Sequence, residues 1–297
     1  MVKKSRYYKN AEGGEIISLV DPFNEIVKDG EVDSSGVRLN QGGKLMQLNY
    51  GQIVLIKKLK LREFLINHHD EECIAVTMIG NNLRITYDQQ WGTSQYATVA
   101  QQEWGRAAAN KKVASIGSYY SPEALVEYAH ASNVRNIFFM GFEPTSCWDY
   151  VSDVSEVAKD KELKVGVITH GYFSEMVCRE MTTQLSYIVY QLDSLQSFFM
   201  KKHLKANLEI ITSNIERSFK SIAHLELSTY FIPGENDTMH DIKLFIKVIK
   251  SLDKKVSWQL RRFLPEYRVL DKPVTSDEKL RQICEAARAE GIDVKVV

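Results

Sequence analysis

From about residue 72 onward, short apolar runs rich in β-branched and aromatic residues alternate with longer stretches of helical period. This alternation leaves few architectures open. The runs are Cys73 to Ile79, Asn136 to Phe142, Val165 to Thr169, Tyr187 to Leu192, Leu227 to Ile232 and Val256 to Phe263. Strand and helix in strict succession is the pattern of βα units around a parallel sheet. Six such units are two short of a closed eightfold barrel. The pattern therefore predicts an α/β chain with a partial (β/α)6 TIM-like barrel, laterally open, whose chemistry sits at the C-terminal ends of the strands.

Helix starts are marked between the runs. Ser121 before Pro122 reads as an N-cap with proline at the first helical position, and Thr238 with Asp241 and Thr275 with Glu278 read as capping boxes. The interval from Gly92 to Ser121 is too long for a routine βα loop and predicts an extra helix from Ala97 to Ala109 or a flap over the barrel mouth. Residues 1–65 differ: Gly13-Gly14, Gly30, Gly36, Gly42-Gly43 and Gly51 punctuate short apolar segments such as Lys44 to Tyr50 and Gln52 to Lys57. The expected division is a small strand-rich module over 1–65 and a barrel over 66–297, with no internal repeat.

Composition excludes several function classes. The 297 residues are 44% hydrophobic and 26% charged, enough to bury a full core. Lys+Arg and Asp+Glu are 38 each, so the chain lacks the positive field of nonspecific nucleic-acid binding. The basic start, Met1 to Tyr8, is not followed by an apolar stretch of signal type, and no apolar run reaches the length of a membrane span, so a cytoplasmic location is expected, with neither nucleic acid nor membrane as partner. Cys73, Cys147, Cys178 and Cys284 form no C-x-x-C pair and are expected to be buried apolar residues. His68, His69, His130, His203, His224 and His240 lack metal-ligand spacing, and no glycine-rich phosphate loop is present.

The stretch after the first strand reads Gly80-Asn81-Asn82-Leu83-Arg84-Ile85-Thr86-Tyr87-Asp88-Gln89-Gln90-Trp91-Gly92-Thr93-Ser94-Gln95. It resembles the cluster-binding loop of the radical S-adenosylmethionine (SAM) enzymes, in the branch similar to pyruvate formate-lyase activating enzymes known as the AmmeMemoRadiSam radical SAM protein. That loop runs Gly-Cys-Asn-Leu-x-Cys-x-Phe-Cys-Gln-Asn-Trp-x-x-Ser-Gln. Gly80, Asn82, Leu83, Gln89, Trp91, Ser94 and Gln95 match, while Asn81, Ile85 and Asp88 stand at the three cysteine positions.

The resemblance continues in order. Phe142-Glu143-Pro144-Thr145 is similar to Asn-Glu-Pro-Thr, Thr169-His170-Gly171-Tyr172 to Thr-Asn-Gly-Tyr, and Ile232-Pro233-Gly234-Glu235-Asn236-Asp237 to Ile-Pro-Gly-x-Asn-Asp. Arg262-Phe263-Leu264-Pro265-Glu266-Tyr267 and Leu270-Asp271-Lys272-Pro273 follow Arg-Phe-His-Pro-x-Tyr and Leu-Asp-x-Pro. Tyr190-Gln191-Leu192-Asp193 stands where the family tends to have Val-Asp-Leu-Lys. In the N-terminal module, Asp21-Pro22, Gly36-Val37-Arg38, Gly42-Gly43-Lys44-Leu45 and Leu48-Asn49-Tyr50-Gly51 also align, with Ser18, Asp21, Glu25 and Ser35 at further cysteine positions.

The resemblance implies the radical SAM fold and a [4Fe-4S] cluster held by three thiolates, with one iron open to SAM. Asn81, Ile85 and Asp88 cannot supply those thiolates, so no cluster and no radical generation are expected. What remains is a pseudoenzyme-like protein that binds SAM, a related small molecule or a protein partner. For such binding the resemblance implicates Glu143 and Pro144, Gly234 and Arg262, with His170 as ligand, base or hydrogen-bond donor. The rival expectation is a cluster-independent enzyme. There Asp88, Glu143, His170 and Asp193 hold one divalent metal, or His170 and Asp193 do acid-base catalysis. Period-two alternation puts Gln191 and Asp193 on one face, and Arg261 and Arg262 at the sixth strand end are possible anion holders, Arg262 being the one that matches the family.

Overall fold

A computed structural model describes residues 1–66, 68, 71–222, 224–252 and 256–297. All six predicted strands form. They are β2 (Glu72–Thr77), β3 (Asn136–Phe139), β4 (Lys164–Thr169), β5 (Tyr187–Gln191), β6 (His224–Phe231) and β7 (Ser257–Arg262), each parallel to the next. Two further strands extend the sheet to eight: β1 (Leu55–Lys60), antiparallel to β2, and β8 (Val294–Val296), parallel to β7. The sheet order is sequential from β1 to β8. Residues 3–47 add two three-stranded antiparallel sheets at the N-terminus.

Each crossover carries a helix whose apolar stripe packs on the outside of the sheet. These include α3 (Pro122–Ala131), α4 (Trp148–Asp160), α5 (Glu175–Gln184), α6 (Leu208–Ser221), α7 (Met239–Ser251) and α8 (Asp277–Ala289), preceded by α1 (Tyr96–Trp104) and α2 (Arg106–Val113). Ser121 caps α3 through Ala124 N, and Thr238 with Asp241 closes the capping box of α7, as the sequence indicates. At α8 the expectation shifts by one residue. Ser276 is the cap, because Thr275 Oγ1 is spent accepting from Phe263 N at 2.8 Å and donating to Phe231 O at 2.5 Å. The single helix expected over 97–109 is two, broken where Gly105 takes φ +76°.

Inside the barrel, alternate residues point inward. Cys73, Phe138, Tyr187 and Val189 pack against Leu61, Phe64 and Leu65, which plug the floor. Gly166 admits the Phe138 ring: a Cβ there would sit 2.4 Å from it. Glu226, 1% exposed, fastens the plug by accepting from Ile66 N at 2.9 Å and from Gln259 Nε2 at 2.7 Å, and Gln259 also donates to Phe64 O. A cavity among the described residues lies at the other end, by the strands' C-terminal ends. The four cysteines are buried and free, as expected. No helix among the described residues is long and apolar enough to cross a membrane. His69 lies outside the described residues.

Candidate functional site at the barrel mouth

A cavity of about 50 Å³ lies at the C-terminal end of the sheet, walled by Ile85, Tyr87, Asp88, His170, Gln191 and Tyr230 among others. Its volume suits a few water molecules or a small organic group.

The loop after β2 forms one wall, and the residues at its three family-cysteine positions build the loop itself. Asn81 Oδ1 accepts from Leu83 N and its Nδ2 donates to Ser94 Oγ, both at 2.8 Å. Asp88 accepts from Gln90 N at 2.8 Å and from Gln95 Nε2 at 3.0 Å. Ile85 is 2% exposed and contributes an apolar face. The matching residues Asn82, Gln89 and Trp91 tie the loop outward: Asn82 Nδ2 donates to Tyr172 O, Gln89 exchanges two bonds with the backbone of Leu264, and Trp91 stacks on Tyr267 at 5.6 Å.

Glu143 stands at the end of β3 and His170 at the end of β4. Glu143 is fully buried, and protein donors hold both its oxygens. Oε1 accepts from Thr145 N, Thr145 Oγ1 and Thr169 Oγ1, and Oε2 accepts from His170 N at 3.0 Å. His170 Nδ1 makes a 3.4 Å ion pair with Oε2, yet neither ring nitrogen has a well-formed hydrogen bond. Burial acts to raise the Glu143 carboxyl, but the bond and charge of His170 outweigh it and hold it below the usual range. Burial likewise acts to lower the imidazole, and Glu143, Asp193 and Asp88 lift it above the ordinary histidine value. The two shifts run in the directions that favour a buried ion pair, and the His170 ring faces the cavity.

Asp193 and Gln191 do meet: Gln191 Nε2 donates to Asp193 Oδ2 at 3.1 Å. Asp193 also accepts from Tyr87 Oη at 2.6 Å and from Tyr230 N at 2.8 Å. Burial raises its carboxyl in spite of these bonds. The Tyr87 hydroxyl has no partner within its own loop, and nothing short of the fold brings it to a residue 106 positions away.

The expected site residues are not all brought to the cavity. Asp88, Glu143, His170 and Asp193 surround one mouth, but no group of three or more His, Cys, Asp or Glu among the described residues could hold a metal ion. The oxygens of Asp88, Glu143 and Asp193 all accept from protein donors. Glu143 has no lone oxygen waiting for an ammonium group. Arg262 points outward, donating to Thr275 O at 2.6 Å and pairing with Asp277, so it anchors α8 rather than a ligand. Gly234 is in an exposed turn closed by its N–H to Asp237 at 2.9 Å, and Pro144 is buried at the start of the turn 144–147; neither lines the cavity.

No family model matches the chain. An uncharacterised protein of Methanocaldococcus jannaschii is 22% identical over 296 residues, which is 98% of this chain and 83% of that one. A radical SAM methyltransferase from Sphaerobacter thermophilus superposes with a TM-score of 0.55 at 11% identity, over 82% of this chain and 76% of its own. SuiB of Streptococcus suis, solved with S-adenosylmethionine bound, gives 0.52 at 11% identity over 62% of this chain and 45% of its own. The chain has the fold of the radical SAM enzymes.

The donors of this loop do not match the thiolates that the sequence resemblance would call for. The loop 80–95 holds an amide, an isoleucine and a carboxylate where thiolates are needed. The four cysteines lie on β2, in the turn after β3, and on α5 and α8; Cys147 is bonded to Asn49. Burial pushes the Cys73 and Cys147 thiols up to about 12, the opposite of what a metal ligand requires.

Proposed function

We propose that this is a non-radical protein on a radical SAM fold, which binds a small molecule at the barrel mouth. The observation that carries the reading is the fate of Asn81, Ile85 and Asp88: two are consumed in the hydrogen bonds that shape the loop, and the third is a wall of the cavity. No step of this function runs through a cluster. SAM is the ligand the resemblance implies, and it is the first probe. The engaged Glu143 and a cavity of about 50 Å³ favour a compact ligand over a whole adenosyl group.

A second reading, an acid-base enzyme, draws support from His170 beside Glu143, whose carboxylate raises the imidazole pKa and so favours a ring able to give a proton to a bound oxygen. The test for both is isothermal titration calorimetry of purified, iron-free protein with SAM and S-adenosylhomocysteine. Saturable one-to-one binding in both cases supports a surviving nucleoside pocket. Binding of neither, with no change in melting temperature, removes SAM from the reading and leaves a smaller ligand.

A further inference from the structure

The inner face of the sheet carries a polar row that the family resemblance does not single out. Parallel register puts Gln191 beside Ser228 and Ser228 beside Gln259, and the Thr169 to Tyr190 pairing sets His170 next to Gln191. Arg261 starts one layer higher, paired with Tyr230, and folds down onto this row. Its Nε donates to Ser228 Oγ at 2.8 Å and an NH2 group reaches Gln259 Oε1 at 3.4 Å. Its Cζ is 5.7 Å from the centroid of the Tyr230 ring, a wall of the cavity.

Among the described residues no Asp or Glu pairs with Arg261, although the side chain is half-buried and its hydrogen-bond partners Ser228 and Gln259 are neutral. A guanidinium keeps its charge at any physiological pH and presents a planar fork suited to a carboxylate. At the other end of the row, His170 offers a ring N–H with no acceptor, and a buried donor left unmade is costly enough that a ligand atom in that place is favoured. Asp88 lines the cavity as well and repels a carboxylate set beside it. The ligand's negative charge therefore belongs at the Arg261 end, and a neutral oxygen belongs on His170. Ile85, Phe142 and Ile168 line the β2–β4 side of the cavity with apolar surface.

We propose that the barrel interior binds a small carboxylic acid bearing a hydroxyl or carbonyl oxygen, its carboxylate on Arg261 and its second oxygen on His170. The proposal rests on the small-molecule reading above and names the ligand class. The groups facing His170 are Glu143 at the end of β3, Asp193 beyond β5, Asp88 from the loop after β2 and Tyr230 from β6. These carboxylates raise the pKa of the ring, so binding is expected to weaken as pH rises through it.

The experiment is calorimetric titration with glycolate, lactate and uncharged glycolamide, with SAM in a parallel arm. Glycolate or lactate is expected to bind with a Kd of about 1 mM or tighter, at least tenfold better than glycolamide. Arg261→Gln abolishes that preference, Arg261→Lys keeps part of it, and His170→Gln weakens acid and amide alike and removes the pH dependence. Circular dichroism and melting temperature confirm that each variant is folded; if Arg261→Gln is not, Arg261→Lys and His170→Gln decide. Acid binding that neither variant alters overturns the proposal, as does no binding of either acid up to about 50 mM. SAM binding without acid binding overturns it and leaves the small-molecule function standing. Loss of both arms overturns both.

Discussion

Gln89 and Leu264 lie 175 residues apart and exchange two hydrogen bonds, Nε2 to the carbonyl at 2.8 Å and the Leu264 N–H to Oε1 at 3.2 Å. One side-chain amide thus mimics a strand partner and clamps the segment after β7 across the loop after β2. Arg268 N to Thr86 O at 3.0 Å and the Trp91–Tyr267 stack complete the strap. Gln89→Ala removes both amide bonds at an exposed edge and is expected to cost about 1–2 kcal/mol in unfolding free energy. Hydrogen exchange at Leu264 and Arg268 should quicken while the amides of β4 and β5 stay protected. Unchanged exchange at those two amides would refute the clamp.

Glu143→Ala leaves a buried imidazole without its nearest counter-charge and three orphaned donors on Thr145 and Thr169. The expected loss is about 3–5 kcal/mol, read as a lower denaturant midpoint with unchanged slope. The pH dependence has two limbs. Glu143, depressed in the native state, contributes stability that is present above its unfolded value near 4.5 and lost as pH falls through the native one. His170, raised in the native state, contributes stability that is complete below about 6.5 and lost as pH rises through its native pKa. Glu143→Gln should flatten both limbs, and a melting-temperature profile from pH 3 to 9 checks this.

Much of the barrel was legible because its strands, covered on both faces, are written as continuous apolar runs. β1 was not read as part of the barrel, since Leu55-Ile56-Lys57-Lys58-Leu59-Lys60 carries three lysines and pairs antiparallel at a sheet edge, where charge protects an open ladder. The site was legible in part. Glu143 and His170 adjoin as their motifs suggest, but which of Arg261 and Arg262 faces the interior depends on strand parity, which the sequence leaves open until Gln259 is seen on Glu226. The Tyr87–Asp193 bond depends on long-range packing and has no local signature.

Glu25, in the N-terminal module, is pushed up to about 7 by burial and by the neighbouring Asp33 and Asp21, against the hydrogen bond from Ser34 N. A carboxyl raised on folding favours the native state at low pH and costs stability as pH climbs from its unfolded value near 4.5 through about 7. Glu25→Gln removes the buried charge. It should stabilise the protein by about 1–3 kcal/mol at pH 8 and change little at pH 4, a difference that thermal melts at the two pH values resolve. Equal effects at both would show that the carboxyl ionises freely in the folded chain.

Restoring Asn81→Cys, Ile85→Cys and Asp88→Cys together tests whether the loop can still wrap a cluster. A thiol is a poor substitute for the Asn81 amide that caps Leu83 N and for the Asp88 carboxylate that caps Gln90 N, so the iron-free triple variant should be less stable by about 2–4 kcal/mol. Anaerobic reconstitution with iron and sulfide should leave the native chain colourless. The variant should gain visible charge-transfer absorbance and regain part of its melting temperature, because a cluster that binds only the folded loop stabilises it by mass action. Iron and sulfide analysis decides the outcome. Near-stoichiometric cluster in the native chain would mean that other ligands hold it, and the non-radical reading would fall.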